Sequence, residues 1–121
     1  FIGEMQSWLA EHGLEAAFHH APLVHRTAEW PGLWYRLPIL PDSIDMLVID
    51  GPPWTVHPFV RGAAERLFAR IAVGGTVLLD DAARPGERIV ARRWRRGWPN
   101  FTFRYEGGGT KGLLVGRRDR D

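Results

Sequence analysis

Carboxylates follow two apolar segments of this sequence at the points where the segments stop. Asp50 comes directly after the apolar run 46–49, and Asp80 and Asp81 come directly after the run 77–79. Two carboxylates that meet at one edge of a sheet can bind a cation, attract a sulfonium or accept a proton. Asp at a strand end is also common as a cap for the following helix. The spacing alone therefore leaves a chemical and a structural role open.

The segment 44–53 predicts a buried strand with an abrupt end. Residues 46–49 are continuously apolar and include β-branched members, which is typical of a parallel strand covered on both faces. Gly51 permits a sharp turn, and the two prolines that follow cannot extend a ladder of hydrogen bonds. Asp50 is therefore predicted at the carboxyl end of the strand, which is the edge where open α/β sheets bind ligands.

A strand–helix–strand unit begins with this segment. An apolar stripe of helical period predicts a helix over about 58–72, ended by Gly74 and Gly75, and residues 76–79 predict a second strand. The right-handed crossover rule makes the two strands parallel neighbours, with both acidic ends at the same edge. Asp50 is thus expected near Asp80 or Asp81.

The rest of the chain alternates between helix and strand signals and indicates the α/β fold class. We predict a helix over 1–12 that ends at Gly13, a short strand over 14–20, a proline-broken connection over 24–42, a basic amphipathic helix over about 85–96, and a closing β-hairpin of 101–105 and 111–116. In the connection, Trp30, Trp34 and Tyr35 either wall a pocket for a substrate or pack the loop.

Composition limits the class of protein. With 121 residues and 45% hydrophobic residues, the chain is expected to form one globular domain. No apolar run approaches the roughly 18 residues of a membrane span, and the first residues lack the pattern of a signal peptide, so a cytoplasmic protein that does not contact membranes is expected. The absence of cysteine excludes disulfides and thiolate metal sites.

The net charge of +2 conceals an asymmetry. Residues 1–83 carry 5 basic and 10 acidic side chains, whereas residues 84–121 carry 11 basic and 4 acidic ones. The helix that carries Arg88 and Arg96, together with Trp94 and Trp98, is one possible nucleic-acid-binding module. The structural alternative is a solvated arginine face, and we expect that alternative, so nucleic acid is not the expected partner.

Several short motifs, in this order, resemble the second half of a class I S-adenosylmethionine-dependent methyltransferase. The motifs are Ala21-Pro22-Leu23, Trp34-Tyr35, Asp50-Gly51-Pro52-Pro53, Gly74-Gly75 and Asp80-Asp81, with Arg84, Glu87 and Trp94 after them. Within that superfamily, the likeness is to the group whose fourth strand ends in Asp-Gly-Pro-Pro and whose fifth ends in Asp-Asp. The resemblance implies a Rossmann-like sheet of seven strands in which the last strand is antiparallel and the strand before Asp50 is an interior one.

By the same resemblance, the chain is an enzyme that uses S-adenosylmethionine to methylate an oxygen of a small molecule. The methyl donor lies across the carboxyl edge of such sheets. Its adenine end would pass Ala21 and Pro22, and Asp50, Gly51 and Pro52 would lie close to its methionine moiety or its reacting methyl group.

Acidic residues and a histidine are the candidates for catalysis. In catechol-type O-methyltransferases, acids after the fourth and fifth strands hold Mg²⁺, and Asp50 and Asp81 match two of these positions, with Asp80 adjacent, although Ala82 stands where that pattern has Asn. Asp50 and Asp81 are the carboxylates expected to take part in catalysis. His57 follows the turn, where it could act as a general base or cap the next helix.

The resemblance does not extend to the donor-binding loop. The glycine-rich loop after the first strand and the ribose-binding acid after the second strand have no counterpart in this sequence. We therefore expect residues 1–121 to be a partial methyltransferase domain, with an N-terminal half or a second chain covering the open edge of the sheet. A non-catalytic half-domain used for assembly is the alternative.

Asp50 to Trp54 also resembles the Asp-Pro-Pro-Trp motif of adenine-N6 methyltransferases, but with an inserted Gly that moves the carboxylate.

Overall fold

A computed structural model of the chain describes residues 2–25, 30, 33–53, 55–108 and 111–121. These residues form a mixed α/β structure, which confirms the predicted class. The elements in chain order are helix α1 (Ile2–Glu11), strands β1 (Leu23–His25), β2 (Leu33–Tyr35) and β3 (Ile44–Ile49), a 3₁₀ helix (Val60–Arg70), strand β4 (Ile71–Asp80), helix α2 (Pro85–Gly97), and strands β5 (Phe101–Glu106) and β6 (Leu113–Arg118). Phe1 and Trp54, both used in the sequence predictions, lie outside the described residues.

The main sheet has four strands in the order β3-β4-β6-β5. β3 and β4 are parallel, as the crossover rule predicts, whereas β6 is antiparallel to both β4 and β5. β3, β4 and β5 therefore run in one direction and β6 runs in the opposite one. The carboxyl ends of β3 and β4 lie at the same edge of the sheet, which is the edge that carries the acidic residues.

The 3₁₀ helix and α2 pack together and bury an aromatic centre. Phe68 and Trp94 are fully buried, and their rings meet edge to face with centroids 4.9 Å apart. Phe101 of β5 stacks on Phe68 at 5.2 Å, and Trp94 Nε1 donates a hydrogen bond to the Gly62 carbonyl at 3.2 Å. Burial of these aromatic rings, together with the hydrogen bond of the Trp94 indole N–H, stabilises the packing of α2 on the 3₁₀ helix. No helix in the described ranges is long and apolar enough to cross a membrane.

The first short strand does not form where the sequence pattern predicts it. Residues 14–22 have no regular structure, and the strand begins instead at Leu23 and pairs with β2, inside the predicted connection. Leu14 is half exposed, so the alternating pattern of 14–20 has no surface to pack on. Trp34, by contrast, is buried opposite Val24. Burial of a tryptophan thus decides which segment becomes a strand.

The glycine pair is the second difference from the predictions. Gly74 and Gly75 do not end a helix, since the 3₁₀ helix ends at Arg70 and β4 starts at Ile71. Gly74 has a φ of +86°, and the register with β3 shifts along this part of the ladder. Glycine supplies the left-handed conformation that such an irregularity requires. The strand therefore begins at Ile71, whereas the sequence predicts a start at residue 76.

The burial of β3 by neighbouring residues is the third difference from the predictions. Ile49 is buried, but Met46 and Val48 are 59% and 60% exposed, so only one face of β3 is covered by the described residues. In the described part of the sheet, β3 has β4 as its one neighbour and forms an edge. The prediction of a strand covered on both faces is therefore wrong for these residues, because the covering 3₁₀ helix lies on one side alone.

Candidate functional site

Three aspartates converge at the carboxyl ends of β3 and β4. Asp50 follows β3, Asp80 ends β4, and Asp81 begins the next turn. One carboxylate oxygen from each lies within 4.8 Å of those of the others. The predicted proximity of Asp50 to Asp80 and Asp81 is confirmed, and it follows from the parallel register of the two strands.

The three aspartates differ in exposure. The Asp50 side chain is 69% exposed, whereas that of Asp81 is 7% exposed. Asp81 has a φ of +57°, a conformation that Asp tolerates better than most residues, and its N–H donates to Asp80 Oδ1 at 2.9 Å. This turn directs the carboxylate of Asp81 inward, and Asp50 and Asp80 are the more exposed members.

Arg61 joins the two strand ends. It is buried, its Nε donates to the Pro52 carbonyl at 3.0 Å, and its Nη1 donates to the Asp80 carbonyl at 3.3 Å. Its Nη1 also lies 3.5 Å from Asp81 Oδ2, and its Nη2 lies 3.8 Å from Asp50 Oδ1. A single guanidinium therefore holds the turn after β3 against the end of β4 and partly neutralises the aspartates.

The sequence predictions did not identify Arg61. The predicted apolar stripe of this helix includes Ala64 and Phe68, and Arg61 is three residues before Ala64 and seven before Phe68. In a 3₁₀ helix, residues three apart lie on the same side. The signal for Arg61 was an arginine on the inward side of an apolar stripe. A buried arginine requires hydrogen-bond acceptors, so such a position predicts polar groups nearby.

Arg84 and Glu87 extend this group of charges. Arg84 Nη2 lies 3.0 Å from Asp81 Oδ2, and Glu87 on α2 is almost fully buried. Burial raises the pKa of Glu87 above its ordinary value, while its own backbone amide and the charges of Arg61 and Arg84 act in the opposite direction. Within the described structure, Asp81 Oδ1 and Glu87 Oε1 are buried without a hydrogen-bond partner. We call these six residues the acid–arginine cluster: Asp50, Asp80, Asp81, Arg61, Arg84 and Glu87.

A pocket of about 290 Å³ adjoins the exposed member of this cluster. It is lined mainly by apolar side chains, among them Trp34, Leu47 and Leu67, with Tyr35, Asp50 and Gly51 at its polar end. Trp34 therefore contributes both to the core and to the pocket wall. Of the two alternatives that the sequence left open, packing is observed, and a substrate in this pocket stays a prediction.

Tyr35 places a hydroxyl beside Gly51. A Cβ on Gly51 would lie 2.5 Å from Tyr35 Oη, so the absence of a side chain allows this approach. Burial raises the pKa of Tyr35, with Arg61 lowering it and Asp50 raising it by smaller amounts. The hydroxyl is therefore protonated at neutral pH and can donate a hydrogen bond.

His57 has a local structural contact. Its Nδ1 accepts a hydrogen bond from the backbone N–H of Phe59 at 3.1 Å, and the two rings are 5.2 Å apart. With Nδ1 occupied as an acceptor, the neutral ring carries its proton on Nε2. This contact orders the turn before the 3₁₀ helix but is not a helix cap, since Phe59 is the N-cap residue and has no side-chain cap hydrogen bond. A catalytic role of His57 stays a prediction.

The predicted donor-binding residues are divided between two places. Gly51 lines the pocket, and the buried Pro52 presents its carbonyl to Arg61. Ala21 and Pro22 precede β1, where the Pro22 carbonyl accepts a hydrogen bond from the Arg36 N–H at 2.8 Å, and neither residue lines the pocket beside Asp50. The structure therefore groups Gly51 and Pro52 with the aspartates but not Ala21 and Pro22.

No protein-family model matches the sequence, and no curated protein matches it significantly. The chemistry of the site therefore follows from its own geometry. A carboxylate and a protonated tyrosine hydroxyl face an apolar pocket, and behind them a buried arginine fixes the strand ends. Such a site can hold a cationic group against Asp50 and position a polar group near Tyr35 and Asp80.

Proposed function

We propose that this chain is part of an S-adenosylmethionine-dependent methyltransferase that acts on an oxygen of a small molecule. The observation that carries the proposal is the convergence of Asp50 with Asp80 and Asp81 at the carboxyl ends of two parallel strands, beside an apolar pocket. In open α/β sheets this edge is the usual position of ligands.

We also propose that the main sheet is the C-terminal part of a Rossmann-like methyltransferase sheet. The strand directions support this, because three strands run in parallel and the last strand of the chain is the one that opposes them. That is the arrangement implied by the resemblance. The open edge at β3 is where further strands of such a sheet would pair.

Asp50 is the residue proposed to attract the sulfonium of the donor. It is the most exposed carboxylate of the cluster and lies at the polar end of the pocket, whose apolar walls can pack against the carbon skeleton of the donor. Gly51 and Pro52 form the turn beside the methionine moiety. The adenine contacts of Ala21 and Pro22 stay a prediction, since those residues do not adjoin this pocket.

A divalent cation fits the same carboxylates. Asp81 Oδ1 is buried and has no partner in the described structure, and carboxylate oxygens are the ligands that Mg²⁺ prefers. Asp50, Asp80 and Asp81 would hold the ion, which would polarise the oxygen of the methyl acceptor. Because Arg61 and Arg84 both pair with Asp81, and Arg61 also lies near Asp50, we expect the ion to bind weakly.

The remaining residues position the acceptor and receive its proton. In this proposal the acceptor hydroxyl would lie between Tyr35 and Asp80, and a carboxylate would take its proton as the oxygen bonds to the methyl carbon and the bond from that carbon to the donor sulfur breaks, leaving a neutral thioether. Asp80 is better placed for this than Asp81, because Asp81 is buried against Arg61 and Arg84. Asp81 then acts by holding Arg61. Most of the rate enhancement comes from alignment of the two reactants.

Calorimetric titration with S-adenosylmethionine of the full-length protein that contains this chain tests the proposal. We expect binding, and we expect Asp50→Asn to weaken it by about 10-fold, the effect of losing one favourable charge contact. Asp45→Asn is the matched control, since Asp45 is an exposed carboxylate on the same strand, outside this pocket. A folded protein that binds no donor, or equal losses in both variants, contradicts the proposal.

A non-catalytic half-domain used for assembly is the second candidate. The observation in its favour is the edge position of β3, with Met46 and Val48 exposed on one face. Light scattering on the wild type and on Met46→Lys tests it. An oligomer that dissociates in the variant, combined with no donor binding by the wild type, would favour assembly over catalysis.

A further inference from the structure

A second pocket, also of about 290 Å³, lies between α2 and the β5–β6 hairpin. Three arginines of the helix and a tyrosine of β5 line it, together with three buried apolar side chains: Arg88, Arg92, Arg95, Tyr105, Ala82, Ala91 and Leu114. We call this the arginine pocket. The spacing of the arginines along α2 places them on one side of the helix.

The arginines of this pocket have neutral partners or none. Arg88 Nε donates to the Ala83 carbonyl at 3.0 Å, and Arg95 Nη2 donates to the Phe103 carbonyl at 3.5 Å. In the described part of the chain, none of Arg88, Arg92 and Arg95 forms an ion pair with a carboxylate. A carbonyl accepts a hydrogen bond without neutralising the charge, so three like charges face one cavity.

Like charges held together in a cavity favour an anion. A guanidinium matches the oxygens of a phosphate in geometry as well as in charge, and a phosphate group can accept hydrogen bonds from several donors at once. Tyr105 adds a hydroxyl donor, and the apolar surface of Ala91 and Leu114 suits a carbon skeleton beside the charged group. The volume is that of a site for a small molecule.

The rest of α2 argues against an extended nucleic-acid surface. The Arg93 guanidinium lies 4.0 Å from the centroid of the Trp30 ring, which turns it away from the arginine pocket, and Trp94 is fully buried. A single-stranded nucleic acid needs exposed aromatic rings and a continuous basic track. Here the basic side chains are divided between different contacts, and the central tryptophan is unable to stack on a base.

We propose that the arginine pocket binds the phosphate group of a small molecule. This site is separate from the acid–arginine cluster and does not depend on the methyltransferase proposal. Free phosphate and a phosphate monoester share the chemistry that the arginines recognise. The apolar side chains favour the monoester, because free phosphate has nothing to place against them.

Titration calorimetry with inorganic phosphate and with phenyl phosphate tests the proposal, using wild type, Arg92→Ala and Arg96→Ala. Arg92 has no described protein contact to lose, and Arg96 is an exposed arginine of the same helix outside the pocket. We expect phenyl phosphate to bind, Arg92→Ala to weaken it by about 10-fold and Arg96→Ala by less than about twofold. Tighter binding of phenyl phosphate identifies an organic phosphate as the ligand, and equal binding identifies free phosphate.

Two results would overturn the proposal. The first is no binding of either probe at concentrations up to about 10 mM. The second is an equal loss in Arg92→Ala and Arg96→Ala, which indicates general attraction of anions to a basic helix. A short single-stranded RNA serves as a further probe. If it binds the wild type, and Arg92→Ala and Arg96→Ala weaken its binding equally, α2 is a nucleic-acid surface and the proposal is overturned. Circular dichroism of both variants confirms that they are folded.

Discussion

The acid–arginine cluster and the arginine pocket both contain arginines, but the arginines have different partners. In the cluster, Arg61 and Arg84 lie within 4.0 Å of aspartate oxygens, and Arg61 is buried. In the pocket, the arginines meet only neutral carbonyl groups within the described structure. Mutual pairing makes the first group part of the fold, whereas the second group keeps its charge available for a ligand. Substitutions in the two places are therefore expected to affect different properties.

Replacement of Arg61 is expected to have the largest effect. Arg61→Ala removes one of the two arginines that face the buried Asp81, leaving Arg84, and it also removes two hydrogen bonds to backbone carbonyls. Breaking a buried ion pair by removing one partner costs about 3–5 kcal/mol in the free energy of unfolding. Urea unfolding measures the loss. Arg66→Ala, an exposed arginine on the same helix, should change stability by less than about 0.5 kcal/mol, and similar losses in both would remove the distinction between the two groups of charges.

Neutralising Asp81 should have an intermediate effect. Asp81→Asn keeps a side chain that tolerates the positive φ but removes the charge that faces Arg61 and Arg84, so we expect a loss of about 1–3 kcal/mol. Asp81→Ala should lose about 1 kcal/mol more, because alanine is strained in the left-handed region. Unfolding curves of the two variants separate the charge from the backbone effect, and identical curves would show that strain is unimportant here.

Glu87 should make stability depend on pH. Because its pKa is raised in the folded protein, the folded state holds the proton more tightly than the unfolded state. Its favourable contribution is complete below the ordinary pKa of a glutamate and is lost as the pH rises through the raised value. Glu87→Gln is therefore expected to become more stable relative to the wild type as the pH rises from about 4 to about 8. Denaturant unfolding at both pH values measures this, and a constant difference would argue against a raised pKa.

The smallest effect on stability is expected in the arginine pocket. Arg92→Ala should change the free energy of unfolding by less than about 0.5 kcal/mol, since no described contact is lost. Relief of repulsion from Arg88 and Arg95 could even make the change slightly favourable. Thermal unfolding measures this change. A large loss of stability would show that Arg92 supports the fold as Arg61 does, which would weaken the comparison.

The strand ends were predictable from the sequence because local chemistry determines them. Gly51 and the prolines after it stop β3 at Asp50, and the crossover rule then brings Asp80 and Asp81 to the same edge. α2 was equally clear, since Pro85 begins it and an apolar stripe lies opposite its arginines. Both signals come from residues close in sequence, so a single sequence is sufficient.

The features that were missed depend on distant contacts. Arg61 is 19 residues from Asp80 along the chain, and no local pattern shows that their side chains meet. The glycine pair carries a backbone irregularity within β4 because of pairing with β3, although the same residues could end a helix. β1 and β2 form because Trp34 finds a place in the core. In each case tertiary packing overrides a reasonable local preference.

β6 occupies the space between β4 and β5 although it follows both in the chain. In the described sheet, β5 has β6 as its one neighbour, so β5 is without a partner until Leu113–Arg118 is available. During synthesis, β3 and β4 can pair early, whereas the second half of the sheet must form in a single late step that closes contacts between distant residues. A nascent chain that stops before Leu113 exposes one side of β4 and leaves β5 unpaired. The six residues of β6 therefore determine when the sheet is complete.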